Sequence, residues 1–237
     1  MADVGDSQLL SLRLFTVRDG ARLLSLPTST LSYWLRGSVR GHKVYDPVLR
    51  ETVDNDPDVT WGEFIEAGLI KQLRARRVPL GSVRRFSRAA HLALDWEYPL
   101  ARHDIYVGPD RKILYEAQRI ARLDKQAPLL LVAEGGEYGQ GQQYLSGDVL
   151  RDFLEPIAFQ DDVSVQYRPR ARHADVVVDP RVRFGAPQIQ GVPTEALWSQ
   201  REAGDSLAGL AEDFVLPLAR VEEAIAFERD LRQRAAA

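Results

Sequence analysis

The chemistry-bearing residues of this chain fall into three groups, and only one has a useful spacing. Asp161, Asp162, Asp175 and Asp179 are acids of the kind nucleases use. Adjacent acids on a strand point to opposite faces, however, and no His or third carboxylate follows at a distance suited to holding a metal. His42, His91, His103 and His173 have no His-x-x-x-His spacing, and no Ser stands in a Gly-x-Ser-x-Gly elbow. The chain is therefore read as a non-enzyme that needs no metal or cofactor. The third group lies in "SLPTSTLSYWLRG", residues 25–37, where hydroxyls, a Tyr and an Arg surround three large apolar residues. Hydroxyls and a guanidinium bond to phosphates and base edges, so the chemistry offered is nucleic-acid recognition.

Those groups need a scaffold to aim them. Thr16 followed by Asp19 is a capping pattern for a short helix through Val17, Ala21 and Leu24. Leu26-Pro27 breaks it. Thr28 is then expected as the cap of a second helix, with Leu31, Trp34 and Leu35 inward and Gly37 as the stop. Thr28, Ser29, Thr30, Ser32, Tyr33 and Arg36 are left to face a partner. Residues 37–46 carry hairpin chemistry, with Arg40, His42 and Lys43 near the tip as a wing. In a helix-turn-helix the second helix enters the major groove, so these nine residues are the expected DNA contacts.

Further along, Thr60 and Glu63 form a capping box for a helix to about residue 76, and "RRVPLGS" separates it from another helix through Val83, Phe86, Ala90 and Leu94. Arg74, Arg76, Arg77, Arg84, Arg85 and Arg88 add cations. Short β-like runs follow at 105–107, 129–132 and 163–167, with a Gly/Gln-rich loop at 134–144 that lacks a phosphate-cradle ending. The segment 174–178 reads as a strand, followed by a Pro/Gly-punctuated hairpin and Thr194 as a cap. Helices are expected at 194–203, 206–213 and 217–234. The last two form a second helical corner at "FVLP", whose second helix offers Glu222, Glu223, Glu228 and Asp230. That acidic face would repel a phosphate backbone and suits a protein partner or self-association. The fold class is thus mainly α with a small β-rich middle and two helix-turn-helix, winged-helix-like modules. Its expected divisions are 1–96, 97–172 and 173–237.

Charge follows the same division. Residues 13–94 hold 14 Lys/Arg against 8 Asp/Glu, whereas residues 194–237 hold 5 against 9. Net charge over all 237 residues is −3, and Cys is absent. That excludes disulfides and thiolate metal sites. No apolar run is long enough to span a bilayer and no leader pattern opens the chain, so a cytoplasmic location and no membrane partner are expected.

"FTVRDGARLLSLPTSTLSYWLRG" resembles the first two helices of MerR-type DNA-binding domains, and "WGEFIEAGLIKQLRARRVPLGSVRRF" resembles the helical pair beside them. Residues 173–228 are similar to the domain of unknown function number 433, through Asp-Pro, Gly-x-Pro-x-Ile-x-Gly, Gly-Asp-Ser and Leu-Ala-Glu-Asp-Phe. The order of the two modules resembles VapB-type antitoxins partnered with PIN-like ribonuclease toxins. Ser25 stands where such turns often use Gly, and the long dimerisation helix of MerR proteins is missing. The resemblance implies an antitoxin that binds operator DNA as a homodimer, represses its own promoter and neutralises a PIN-like toxin. Arg168, Arg170 and Arg172 in "QYRPRARH" are candidates to enter an acidic toxin site. A ligand-responsive MerR-like regulator without a toxin, sensing through the middle segment, and a protein-interaction adaptor remain open alternatives.

Overall fold

The computed structural model describes residues 8–50, 57–75, 77–94, 97–102, 153–170 and 175–235. Its elements are β1 (Arg13–Thr16), α1 (Val17–Leu23), α2 (Thr28–Arg36), β2 (Ser38–Arg40), β3 (Lys43–Tyr45), β4 (Asp58–Thr60), α3 (Trp61–Ala75), α4 (Leu80–Leu94), β5 (Ile157–Gln160), β6 (Val163–Tyr167), β7 (Gln188–Ile189), β8 (Val192–Pro193), α5 (Thr194–Ala203), α6 (Leu207–Asp213) and α7 (Leu218–Ala235). The fold is mainly helical, as expected. Among the described residues the strands form four two-stranded antiparallel sheets. The β-like runs at 105–107 and 129–132, the loop at 134–144, and Arg172 lie outside the described residues.

Local chemistry explains most helix starts. Thr16 Oγ1 accepts from the Asp19 amide at 3.1 Å, and the Thr60–Glu63 box closes in both directions, at 3.2 and 2.9 Å. Ser206 accepts from the Gly209 amide at 2.9 Å. Two expected caps are corrected. Thr28 and Thr194 are first residues of their helices, and the cap positions belong to Pro27 and Pro193. Proline's fixed φ with an extended ψ suits the residue before a helix, and each Thr hydroxyl is released for other work. Of the expected strand at 174–178, residue 174 lies outside the described residues, and within 175–178 it is Val177 and Val178 that bridge, to Gln188 and Tyr167 respectively.

Three helical corners share one backbone path. At each, a residue with positive φ follows the first helix, then an apolar residue, then Pro: Ser25-Leu26-Pro27, Arg77-Val78-Pro79 and Val215-Leu216-Pro217. The same bonds recur. The Leu26, Val78 and Leu216 amides donate back to the Ala21, Leu73 and Ala211 carbonyls, and the Leu31, Val83 and Val221 amides donate to the Pro carbonyls. The Pro cannot donate, so the chain turns where a helix would need its N–H.

One continuous core runs beneath all three corners. Phe15, Trp61 and Phe64 cluster, with Phe15 and Phe64 centroids 4.8 Å apart, and Tyr167 of β6 meets Phe64 edge-on at 5.2 Å. Trp61 Nε1 donates to the Ser164 carbonyl at 2.6 Å, so the β5–β6 hairpin is fastened to α3. At the far side α7 packs on α1, and the turn at Gly185 packs on β1. The C-terminal helices therefore rest on the first corner.

Candidate nucleic-acid interface

α2 buries Leu31, Trp34 and Leu35 and turns a hydroxyl-rich face outward. Thr28 and Ser29 are exposed, while Thr30, Ser32, Tyr33 and Arg36 are half-buried. The helix stops at Gly37, whose φ of 69° favours glycine and whose Cβ, if present, would lie 2.2 Å from the Tyr45 carbonyl oxygen. Behind the hairpin the chain returns to α2, where the Val48 and Leu49 amides both donate to the Trp34 carbonyl, at 2.7 and 3.0 Å. The helix end is thus fixed from two sides.

β2 and β3 pair as the expected hairpin, with Arg40 opposite Lys43. His42 and Lys43 are exposed beside the turn, and the Lys43 ammonium lies 5.2 Å from the Tyr45 ring centroid. Val39 and Val44, also cross-strand partners, are 71% and 64% exposed. The wing thus offers cations and a small apolar contact together.

Arg84 of α4 acts as a brace rather than a free cation. Its Nε donates to the Pro47 carbonyl at 3.1 Å and its Nη2 to the Tyr33 hydroxyl at 3.4 Å. Tyr33 is half-buried rather than fully outward: it packs partly on the core, and its hydroxyl accepts from Arg84 of α4. Lys71 and Arg74 of α3 share a groove of about 490 Å³ with Thr30 and Tyr33. Sequence reasoning missed Lys71, although its place one helical turn before Arg74 is the signal that could have found it. Arg85 and Arg88 lie exposed along α4. Arg50 is committed elsewhere, pairing with Glu63 at 2.6 Å and donating to the Asp58 carbonyl at 2.8 Å.

The C-terminal corner differs in surface and in two expected details. Glu228 does not face outward. It is 3% exposed and accepts the Thr194 hydroxyl at 2.6 Å. Burial pushes its carboxyl above the usual glutamate range, against the Thr194 bond and the nearby Arg232, which pull the other way. Arg170 is likewise inside. It is 8% exposed, pairs with Asp230 at 3.3 Å and lies 5.5 Å over the Phe227 ring. A cation so enclosed fastens the segment after β6 to α7, and it is not placed to reach into a partner. Arg168 is half-buried. Among the described residues no group of three or more His, Asp or Glu could hold a metal ion, and no helix is long and apolar enough to cross a membrane.

These elements define a mainly α protein of linked helical corners, and that fold is shared with a solved structure. The crystal structure of Rv2018 from Mycobacterium tuberculosis superimposes with a TM-score of 0.62, over 90% of this chain and 98% of that one, at 18% identity. In sequence, the chain is 26% identical over 241 residues to "Uncharacterized protein Rv2308" of the same organism, spanning 98% of this chain and 96% of that protein. It is 25% identical over 236 residues to the M. tuberculosis protein named "Putative antitoxin VapB45", spanning 89% and 92%. No family model matches the chain.

Proposed function

We propose that the protein is the antitoxin of a type II toxin–antitoxin pair. The first corner binds operator DNA with α2 in the major groove, β2–β3 is the wing, and a dimer sets two such helices about 34 Å apart on the duplex. The observation that carries the DNA reading is the outer face of α2. Four hydroxyl residues and Arg36 share it, the wing cations follow directly, and Lys71 and Arg74 adjoin it. The likeness to MerR-type helices supports the same assignment of Thr28, Ser29, Thr30, Ser32, Tyr33, Arg36, Arg40, His42 and Lys43.

Toxin neutralisation rests on the similarity to a protein named as a VapB antitoxin. The partner proposed is a PIN-like ribonuclease encoded beside the gene. Within this reading residues 1–96 read DNA, 97–172 join the ends, and 173–237 carry the module similar to domain of unknown function 433. The acidic second helix of the C-terminal corner, exposing Glu222 and flanked by exposed Glu212 and Asp213, disfavours DNA there and favours a protein partner.

A gel shift on the protein's own promoter tests the DNA reading. The expected result is a shifted band abolished by replacing Ser29, Thr30 and Arg36 together, with the fold retained by circular dichroism. Unchanged binding by that variant overturns the assignment of α2. Co-expression with the neighbouring open reading frame tests the antitoxin reading, which fails if the two products neither co-purify nor affect each other's toxicity.

A further inference from the structure

A second cavity lies away from the polar helix, where the first corner meets the C-terminal helices. It holds about 430 Å³, a size ordinary for small-molecule sites. β1, α1, the turn at 183–187, the β8–α5 junction and α7 contribute its walls. Phe15, Leu23, Phe184 and Leu231 supply apolar surface, and Phe184 is 84% exposed.

Polar groups enter from both sides, and their bonds decide what is left over. On the α7 side Glu228 accepts from Thr194, and Arg232 is engaged three ways: with Glu228 at 3.3 Å, with Glu195 at 3.5 Å and over the Trp198 ring at 5.2 Å. On the α1 side Arg22 has less: Glu228, which lines the same cavity, interacts with it electrostatically. The Arg22 ion pair with Asp19 spans 3.6 Å, beyond hydrogen-bond reach, and the Arg22 Nε is buried without a hydrogen-bond partner. Asp19 itself is turned to the Thr16 hydroxyl at 2.7 Å. A guanidinium with unspent donors beside apolar walls matches a planar anion carried on an apolar body.

We propose that this cavity binds a small amphipathic carboxylate, its carboxylate on Arg22 and its apolar or aromatic body between Phe15, Leu23, Phe184 and Leu231. The ligand joins α1 to α7 and so ties the first corner to the C-terminal module. Neither DNA nor a toxin is needed for this binding, so it stands or falls apart from the antitoxin reading.

Calorimetric titration of the full chain with 2-naphthylacetate, 2-naphthaleneethanol and 2-(2-naphthyl)ethylamine tests it. The expected result is saturable binding of the carboxylate, at least about tenfold tighter than the alcohol and with the amine weakest. Arg22→Gln removes that margin, and Leu231→Trp fills the cavity and removes binding. Should Leu231→Trp fail to fold, Arg22→Gln decides alone. The proposal is overturned if the alcohol or amine binds as tightly as the carboxylate, if Arg22→Gln keeps the preference, or if none of the three saturates by about 1 mM.

Discussion

Ser25 and Val215 stand at opposite ends of the chain in the same backbone conformation, each with φ of 53° and each followed by Leu-Pro. The left-handed region disfavours any residue with a Cβ and most of all a β-branched one. Val215 gains nothing to offset that strain from packing, since it is 87% exposed. Val215→Gly should therefore stabilise the protein by about 0.5–1 kcal/mol, after allowing for glycine's larger unfolded-state entropy. Chemical denaturation would show it as a raised midpoint at constant slope. A lower midpoint would mean that Val215 is held by a contact the isolated chain does not reveal.

Glu228 should make stability depend on pH in an unusual direction. Its folded pKa is raised, chiefly by burial, so its contribution is fully present below the ordinary glutamate range and is lost as pH rises through the folded value. Between that unfolded value and the raised folded one, acidification therefore strengthens the wild-type fold through this group. Glu228→Gln keeps an acceptor for the Thr194 hydroxyl and carries no charge to bury. Denaturation at stepped pH should show the wild type losing stability relative to the Gln variant as pH rises across this interval. Parallel curves for the two proteins would refute the assignment.

Gly62 allows α3 to lie close against Tyr98. A Cβ there would lie 2.3 Å from the Tyr98 ring, and Tyr98 is itself buried with its hydroxyl pushed up by desolvation. Gly62→Ala must displace an aromatic ring from a packed core. The expected cost is about 1–3 kcal/mol, large for a single methyl group. A thermal melt within error of the wild type would show that Tyr98 moves freely.

Reading the sequence located elements better than it located partners. The Thr16–Asp19 and Thr60–Glu63 caps are local, three residues apart, and the residue types alone announce them. Thr28 and Thr194 misled for one shared reason. A hydroxyl before an apolar period looks like a cap, yet Pro27 and Pro193 already hold the extended conformation a cap requires. Thr194 instead bonds Glu228, 34 residues away, and no local pattern signals that. Arg170 misled similarly, because a run of Arg reads as a solvated face until Asp230 and Phe227 fold against it. The candidate interface was legible in its helix and wing, which are contiguous. Lys71 and the bracing role of Arg84 were not, since both come from other helices.

Under the proposed DNA reading, the β2–β3 hairpin gives the sharpest separation between contacts that position and contacts that specify. Lys43 is exposed next to the hairpin turn, and a phosphate contact there would add to affinity regardless of sequence. Lys43→Ala should weaken operator and unrelated duplexes alike and reduce the slope of log K against log salt by about 1. Arg36 lies on α2, which the proposed function puts in the major groove, where a paired base edge is worth about 1–3 kcal/mol of discrimination. Arg36→Ala should therefore lower affinity for the operator far more than for unrelated DNA. Fluorescence anisotropy over a salt series separates the two effects. If Arg36→Ala changed both duplexes equally while Lys43→Ala altered only the operator, the roles of helix and wing would have to be exchanged.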